Sequence, residues 1–160
     1  NAPRDLQRRE ADIAVRNFQT QQPDLIARKI RDTDAQLFAS ESYLAGRPPI
    51  TKLADIANVD IFAFDRSELM VDGLRKLGLD VSRELFPIAT QSHLVQWELC
   101  KRGLGVCIMM REIGEAEPGM VTVLPEISIP VPIWLVCHRE LRTSRRIRVV
   151  FDILADHLTK

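Results

Sequence analysis

The chain has 160 residues, with 22 Lys+Arg against 22 Asp+Glu and a formal net charge of +0; 46% of residues are hydrophobic and 6% aromatic. This composition excludes intrinsic disorder, collagen-like repeats and a disulfide-stapled miniprotein, and fits one soluble globular α/β-sized domain. The neutral balance also argues against a free-standing nucleic-acid binder, which carries a basic excess.

Cys100, Cys107 and Cys137 are odd in number and show no CxxC spacing. They read as small core hydrophobes in a reducing cytoplasm, not as a disulfide framework or zinc site. No signal peptide and no apolar run of about 18 residues is present, so no membrane contact is expected. Asn1-Ala2, without a methionine, looks like a processed start, and the chain reads as an excised piece of something longer.

Asp5 to Glu10 is a polar helical turn that runs into a short apolar strand over Asp12 to Arg16. Leu25 to Ile30 alternates as a half-buried strand does. After Asp32-Thr33-Asp34 a second strand follows at Ala35 to Ser40. A short helix opens at Ser40 and is stopped by Gly46 and Pro48-Pro49. Val59 to Phe64 is a strand. Ser67 caps a helix with Met70, Leu74 and Leu77 on one face, and Gly78 sits at its C-terminal end.

Phe86 to Ala89 is the next strand. Thr90-Gln91-Ser92 then leads into a helix with Leu94, Trp97, Cys100 and Leu104 on one stripe, widened by Val95 and Leu99, which predicts a well-buried helix. Gly103 and Gly105 end it. Val106 to Met110 is an apolar strand of the kind covered on both faces. A helix at Arg111 to Ala116 and a strand at Val121 to Leu124 follow. Pro130 and Pro132 lie just before a strand at Ile133 to Cys137, where prolines are tolerated. Thr143 or Ser144 caps a last helix, buried through Ile147, Val150, Phe151, Leu154 and Leu158. Alternating strands and helices predict α/β structure with mainly parallel sheets.

Four segments in register resemble the effector-binding domain of LysR-type transcriptional regulators. Leu6 to Arg16 is similar to that family's Glu-x-Asp-[Ile/Leu]-Ala-x-Arg segment, and Leu37 to Leu44 to its Ala-Ser-Pro-x-Tyr-Leu step, with Glu41 in place of the proline. Ser92 to Met110 resembles its Gly-Leu-Gly helix–strand unit, with Met110-Arg111 replacing the frequent Leu-Pro. Pro132 to Val136 and Arg146 to Leu158 resemble its closing strand and helix. The resemblance implies a two-lobed periplasmic-binding-protein type 2-like fold. Lobe I, over 1–40 and 130–160, is incomplete at its N-terminal side, and lobe II spans 41–129. The crossovers are expected near Phe38 to Leu44 and Glu126 to Pro132, with a small-molecule cleft between the lobes.

In that frame the best binding candidate is Thr90-Gln91-Ser92, at a helix start whose N–H groups and dipole favour a carboxylate. His93 stands beside it. Arg16 and Asn17 end a strand, where an arginine can pair bidentately with an acid. Phe62 and Phe64 share one face of a strand and are candidate cleft walls. Arg139, Arg142, Arg145, Arg146 and Arg148 form one basic cluster, read as a solvated face balanced by Asp152 and Asp156.

Catalysis finds little support. Cys137 and His138 are adjacent on a strand, so they point to opposite faces. His93, His138 and His157 have no metal-ligand spacing, and no cofactor motif occurs. The resemblance implies a cytoplasmic sensor binding an organic acid or aromatic effector. It is expected to form a homodimer or higher oligomer, and to touch DNA only through a winged helix-turn-helix that it lacks. The alternatives are a solute-binding receptor of the same fold and a small α/β enzyme.

Overall fold

The computed structural model describes residues 11–63, 71–72, 75 and 85–159. In chain order the elements are β1 (Ile13–Arg16), β2 (Leu25–Ser40), α1 (Glu41–Leu44), a 3-10 turn (Leu53–Asn58), β3 (Phe62–Ala63) and β4 (Ile88–Ala89). Then come α2 (His93–Lys101), β5 (Cys107–Met110), α3 (Arg111–Ala116), β6 (Met120–Val123), β7 (Ile129–His138), a 3-10 turn (Leu141–Thr143) and α4 (Arg145–Leu158). The expected turn at Asp5 to Glu10 lies outside the described residues, as does most of the helix expected after Ser67; of that stretch Val71, Asp72 and Arg75 are described, and they are helical.

The chain forms two compact units. Unit 1 comprises Asn1–Asp34 and Pro130–Lys160, and unit 2 comprises Ala35–Ile129. In unit 1, β7 lies between β1 and β2, with Ile13 opposite Cys137 and Arg16 opposite Trp134. Side chains alternate across this sheet as the pleat requires. Ile13, Ile26, Ile30, Leu135 and Cys137 meet Phe151, Leu154, Ala155 and Leu158 of α4, while Ala14, Leu25, Ala27, Trp134 and Val136 form a second cluster. The α4 helix is buried through Phe151 and Ala155, with Ile147, Leu154 and Leu158 half-buried. Val150, expected in the core, is exposed. It sits about 100° around the helix from Phe151, the step between successive residues, and that step carries it past the edge of the packed face.

In unit 2 the second half of β2 runs between two partners. Phe38 stands opposite both Cys107 of β5 and Thr122 of β6, and both pairings are antiparallel. Leu37 and Ala39 enter one core with Tyr43, Ile56, Ile61, Val106 and Val123. Phe38 enters the other with Phe62, Trp97, Cys100 and Cys107, its ring meeting Trp97 edge-to-face at 6.1 Å. Ser40 Oγ accepts the Tyr43 N–H at 3.2 Å and so caps α1. Gly114 is required on α3, because a Cβ there would collide with the Phe38 ring.

The α/β class holds, but its strand pairing is less parallel than expected. Parallel pairing joins β3 to β4 and Ile61 to Val106, whereas β1–β7, β2–β5 and β2–β6 are antiparallel. The two strands expected at Leu25 to Ile30 and Ala35 to Ser40 are one continuous strand, β2. Asp32-Thr33-Asp34 holds no Gly or Pro to force a bend, so the extended backbone carries through.

Candidate functional site

Two parallel strands of unit 2 end side by side, with Phe62 opposite Ile88 and Ala63 opposite Ala89. Parallel strands gather ligands beyond their carboxyl ends, and this is where the chain turns into α2. Thr90 N–H donates to the Ala63 carbonyl at 3.0 Å, which ties the loop to the end of β3. Ser92 is the N-cap of α2, its Oγ accepting the Val95 N–H at 3.4 Å. Thr90 Oγ1 accepts the Ser92 N–H at 3.3 Å. Each hydroxyl that accepts a backbone N–H keeps its own proton as a donor. Two O–H donors therefore stand at the positive end of a nine-residue helix.

Gln96 holds this loop from beneath. It is 3% exposed, and its Nε2 donates to the Ala63 carbonyl at 2.8 Å and the Thr90 carbonyl at 3.0 Å. The His93 side chain hydrogen-bonds to the Gln96 side chain. Burial holds the His93 imidazole below its ordinary value of 6.5, and the bond to Gln96 opposes that shift in part. The pattern V-Q-W inside an apolar stripe was the available signal for Gln96. A glutamine four residues after an N-cap serine, on the Cys100 side of the helix, can turn inward only if its amide is bonded.

The other expected residues fall elsewhere. Gln91 is exposed in the same loop. Phe62 is 1% exposed inside the Phe38–Trp97 core, so it offers no wall to a ligand. Strand β3 is covered on the side Phe62 faces, which alternation alone does not reveal. Phe64 lies outside the described residues. Arg16 and Asn17 lie at the end of β1 in unit 1, and the Arg16 guanidinium stands 5.6 Å from the centre of the Phe18 ring. Helix α2 is not buried as its stripe suggests. Gln96, Trp97 and Cys100 face inward, while Leu94 is 76% and Val95 47% exposed.

Cys137 is buried and His138 half-buried, and His138 Nδ1 accepts the Glu140 N–H at 3.3 Å. That nitrogen therefore has a structural partner. Among the described residues, no group of three or more His, Cys, Asp or Glu could hold a metal ion. Nor is any helix among them long and apolar enough to cross a membrane.

A family model described as the LysR substrate binding domain matches residues 1–159. No curated protein sequence matches the chain. Among solved structures, the regulatory domain of CrgA, a LysR-type transcriptional regulator from Neisseria meningitidis, is similar at 21% identity and a TM-score of 0.77. That likeness covers 94% of this chain and 77% of the CrgA domain. Full-length AphB, the Vibrio cholerae virulence activator, is similar at 22% identity and a TM-score of 0.69, over 98% of this chain and 55% of AphB. Full-length CbnR complexed with its target DNA is similar at 16% identity and a TM-score of 0.64, over 97% of this chain and 55% of CbnR. The chain thus spans little more than half the length of these full-length regulators.

Proposed function

Because the chain belongs to the LysR substrate-binding domain family, we propose that it is the effector-sensing part of a transcriptional regulator and not an enzyme. The effector is a small organic anion, an aliphatic or aromatic acid, recognised at the start of α2. One observation carries this reading. Thr90 and Ser92 each accept a backbone N–H and so present their hydroxyl protons as donors, at a helix end whose dipole favours negative charge. Gln96 pre-forms the loop, so little ordering entropy opposes binding.

An effector that binds one arrangement of the regulator better than another shifts the balance between them, and the shift equals its differential affinity. In the full-length regulator that shift is passed through subunit contacts to a DNA-binding part. The same reading has the chain working as a homo-oligomer. It is supported by the large apolar side chains left exposed, among them Leu94, Val149, Val150 and Ile153.

The test is a thermal-shift screen of small organic acids on the wild-type chain, repeated on a Thr90→Ala/Ser92→Ala variant and on Arg16→Gln. A ligand at about 100 times its Kd adds about 2.7 kcal/mol of stability. The wild type should gain that stabilisation from at least one acid, and the double variant should lose most of it. Neutral ligands stabilising both proteins equally, with no acid acting, would overturn the reading. The Arg16→Gln arm asks whether unit 1 supplies a charge.

A further inference from the structure

We infer that the arginine cluster at the start of α4 is a docking surface for the phosphate backbone of duplex DNA. This contact rests on the regulator reading above and lies outside the winged helix-turn-helix that was expected to be the sole DNA-binding part.

Between His138 and Phe151 stand five arginines, no lysine and a single acid, Glu140. Arg139, Arg142, Arg145, Arg146 and Arg148 are all exposed. Arg139 is fixed at the base of the cluster. Its backbone N–H donates to the Asp24 carbonyl at 2.8 Å and its Nη2 to the Pro23 carbonyl at 2.9 Å, and neither acceptor neutralises its charge. Thr143 Oγ1 donates to the Glu140 carbonyl at 2.7 Å, and the Ser144 N–H to the Leu141 carbonyl at 3.0 Å. This compact turn carries Arg142 beside the first turn of α4, which holds Arg145, Arg146 and Arg148.

The expected balance by Asp152 and Asp156 is not made. Among the described residues none of the five arginines forms an ion pair. Arg148 and Asp152 have i,i+4 spacing, but a base placed before an acid is the weaker order on a helix. Asp156 lies about 12 Å along the axis from Arg148, beyond the screening length of about 8 Å at physiological salt. Cations in a first helical turn also oppose the helix dipole. The cluster therefore destabilises its own helix, and no acid among the described residues offsets this.

Charge and donor geometry identify the partner. A guanidinium presents a planar fork of N–H donors that a phosphate accepts bidentately, which makes arginine the residue type of nucleic-acid recognition. In a regulator, DNA is the polyanion tethered to this domain, so even a weak contact acts at the high effective concentration that tethering gives. The zero net charge of the chain does not oppose this, because screening over about 8 Å leaves DNA facing the near surface alone.

Fluorescence anisotropy of a labelled duplex of arbitrary sequence, titrated with the 160-residue chain at several salt concentrations, tests this, with circular dichroism to check folding. The wild type should bind, its log affinity falling against log salt with a slope of about −3 to −4, as four phosphate contacts require. Arg145→Gln/Arg148→Gln should make that slope shallower by about two and weaken binding roughly a hundredfold at about 50 mM salt. Lys52→Gln/Arg102→Gln removes the same charge at exposed positions of unit 2 and should leave the slope unchanged. No binding by the wild type at any salt, or equal losses in both double variants, would overturn the surface. Polyglutamate displacing the duplex as well as unlabelled DNA of equal charge would assign the cluster to an acidic protein and overturn the DNA contact. The acid screen at Thr90 and Ser92 uses other residues, so failure here leaves effector sensing standing.

Discussion

The Gln96 side-chain amide donates to the Ala63 carbonyl at 2.8 Å, and the same nitrogen donates to the Thr90 carbonyl at 3.0 Å. One buried side chain thus joins the end of β3 to the loop that opens α2. Replacing Gln96 with Leu removes both bonds and leaves the Thr90 carbonyl facing an apolar side chain. The expected loss is about 1–3 kcal/mol of folding stability. Urea denaturation of the wild type and Gln96→Leu checks this. Loss of stability with unchanged effector affinity would mean that the loop holds its shape without Gln96.

His93 gives the site a pH dependence with a defined sign. Its imidazole is held below 6.5 in the folded chain, chiefly by burial, so the unfolded chain takes up a proton first. The His93 contribution to stability is therefore complete above the unfolded value and is lost as pH falls below it toward the folded value. A His93→Gln variant should show a shallower fall in stability from about pH 6.5 downward. Denaturation midpoints at pH 7.5, 6.5 and 5.5 measure it, and an identical slope in wild type and variant would contradict it.

Cys100 and Cys107 should both be silent to thiol reagents in the folded chain. Both are fully buried, and the Cys100 thiol lies 3.1 Å from the Phe38 carbonyl and 3.2 Å from the Gly105 carbonyl. The Cys107 thiol is pushed far above the usual range by its contact with Cys100 and by burial, which keeps it protonated and unreactive. Iodoacetamide labelling with mass analysis should modify neither residue until urea unfolds the chain. Rapid labelling of either under native conditions would show that this core opens.

Gly114→Ala should destabilise the chain, because the new methyl group meets the Phe38 ring across the face that α3 presents to β2. Overpacking of this kind costs about 1–3 kcal/mol, although alanine is the better helix former by about 1 kcal/mol. A stabilised variant in thermal melts would mean that Phe38 can swing away from its contact with Trp97.

Much of this architecture is legible in the residues, and the misses have definable causes. Helix α3 was expected at Arg111 to Ala116 and lies at Arg111–Ala116, because Met110 is the last strand residue and Glu117 the first after the turn. Pro130 and Pro132 were placed just outside a strand but lie within β7. Their spacing of two puts both missing N–H donors on one edge, where a ladder tolerates them. Leu94 and Val95 match the apolar stripe of α2 and yet are exposed, because Gln96 turns inward to make its two bonds. That choice depends on the ends of β3 and β4, which no local pattern contains. Phe62 and Phe64 illustrate the same limit. Alternation assigns them to one face, but only tertiary packing shows that the Phe62 side is covered.

A small organic anion is proposed to bind at the start of α2. Titrating the isotope-labelled chain with the best stabilising acid, while following its backbone amide resonances, tests this most directly. The largest saturable shifts should fall on the amides of Gln91 to Val95 and on the Gln96 side-chain NH2, and the Thr90→Ala/Ser92→Ala variant should lose them. Saturable shifts confined to other segments, with these amides unmoved, would contradict it.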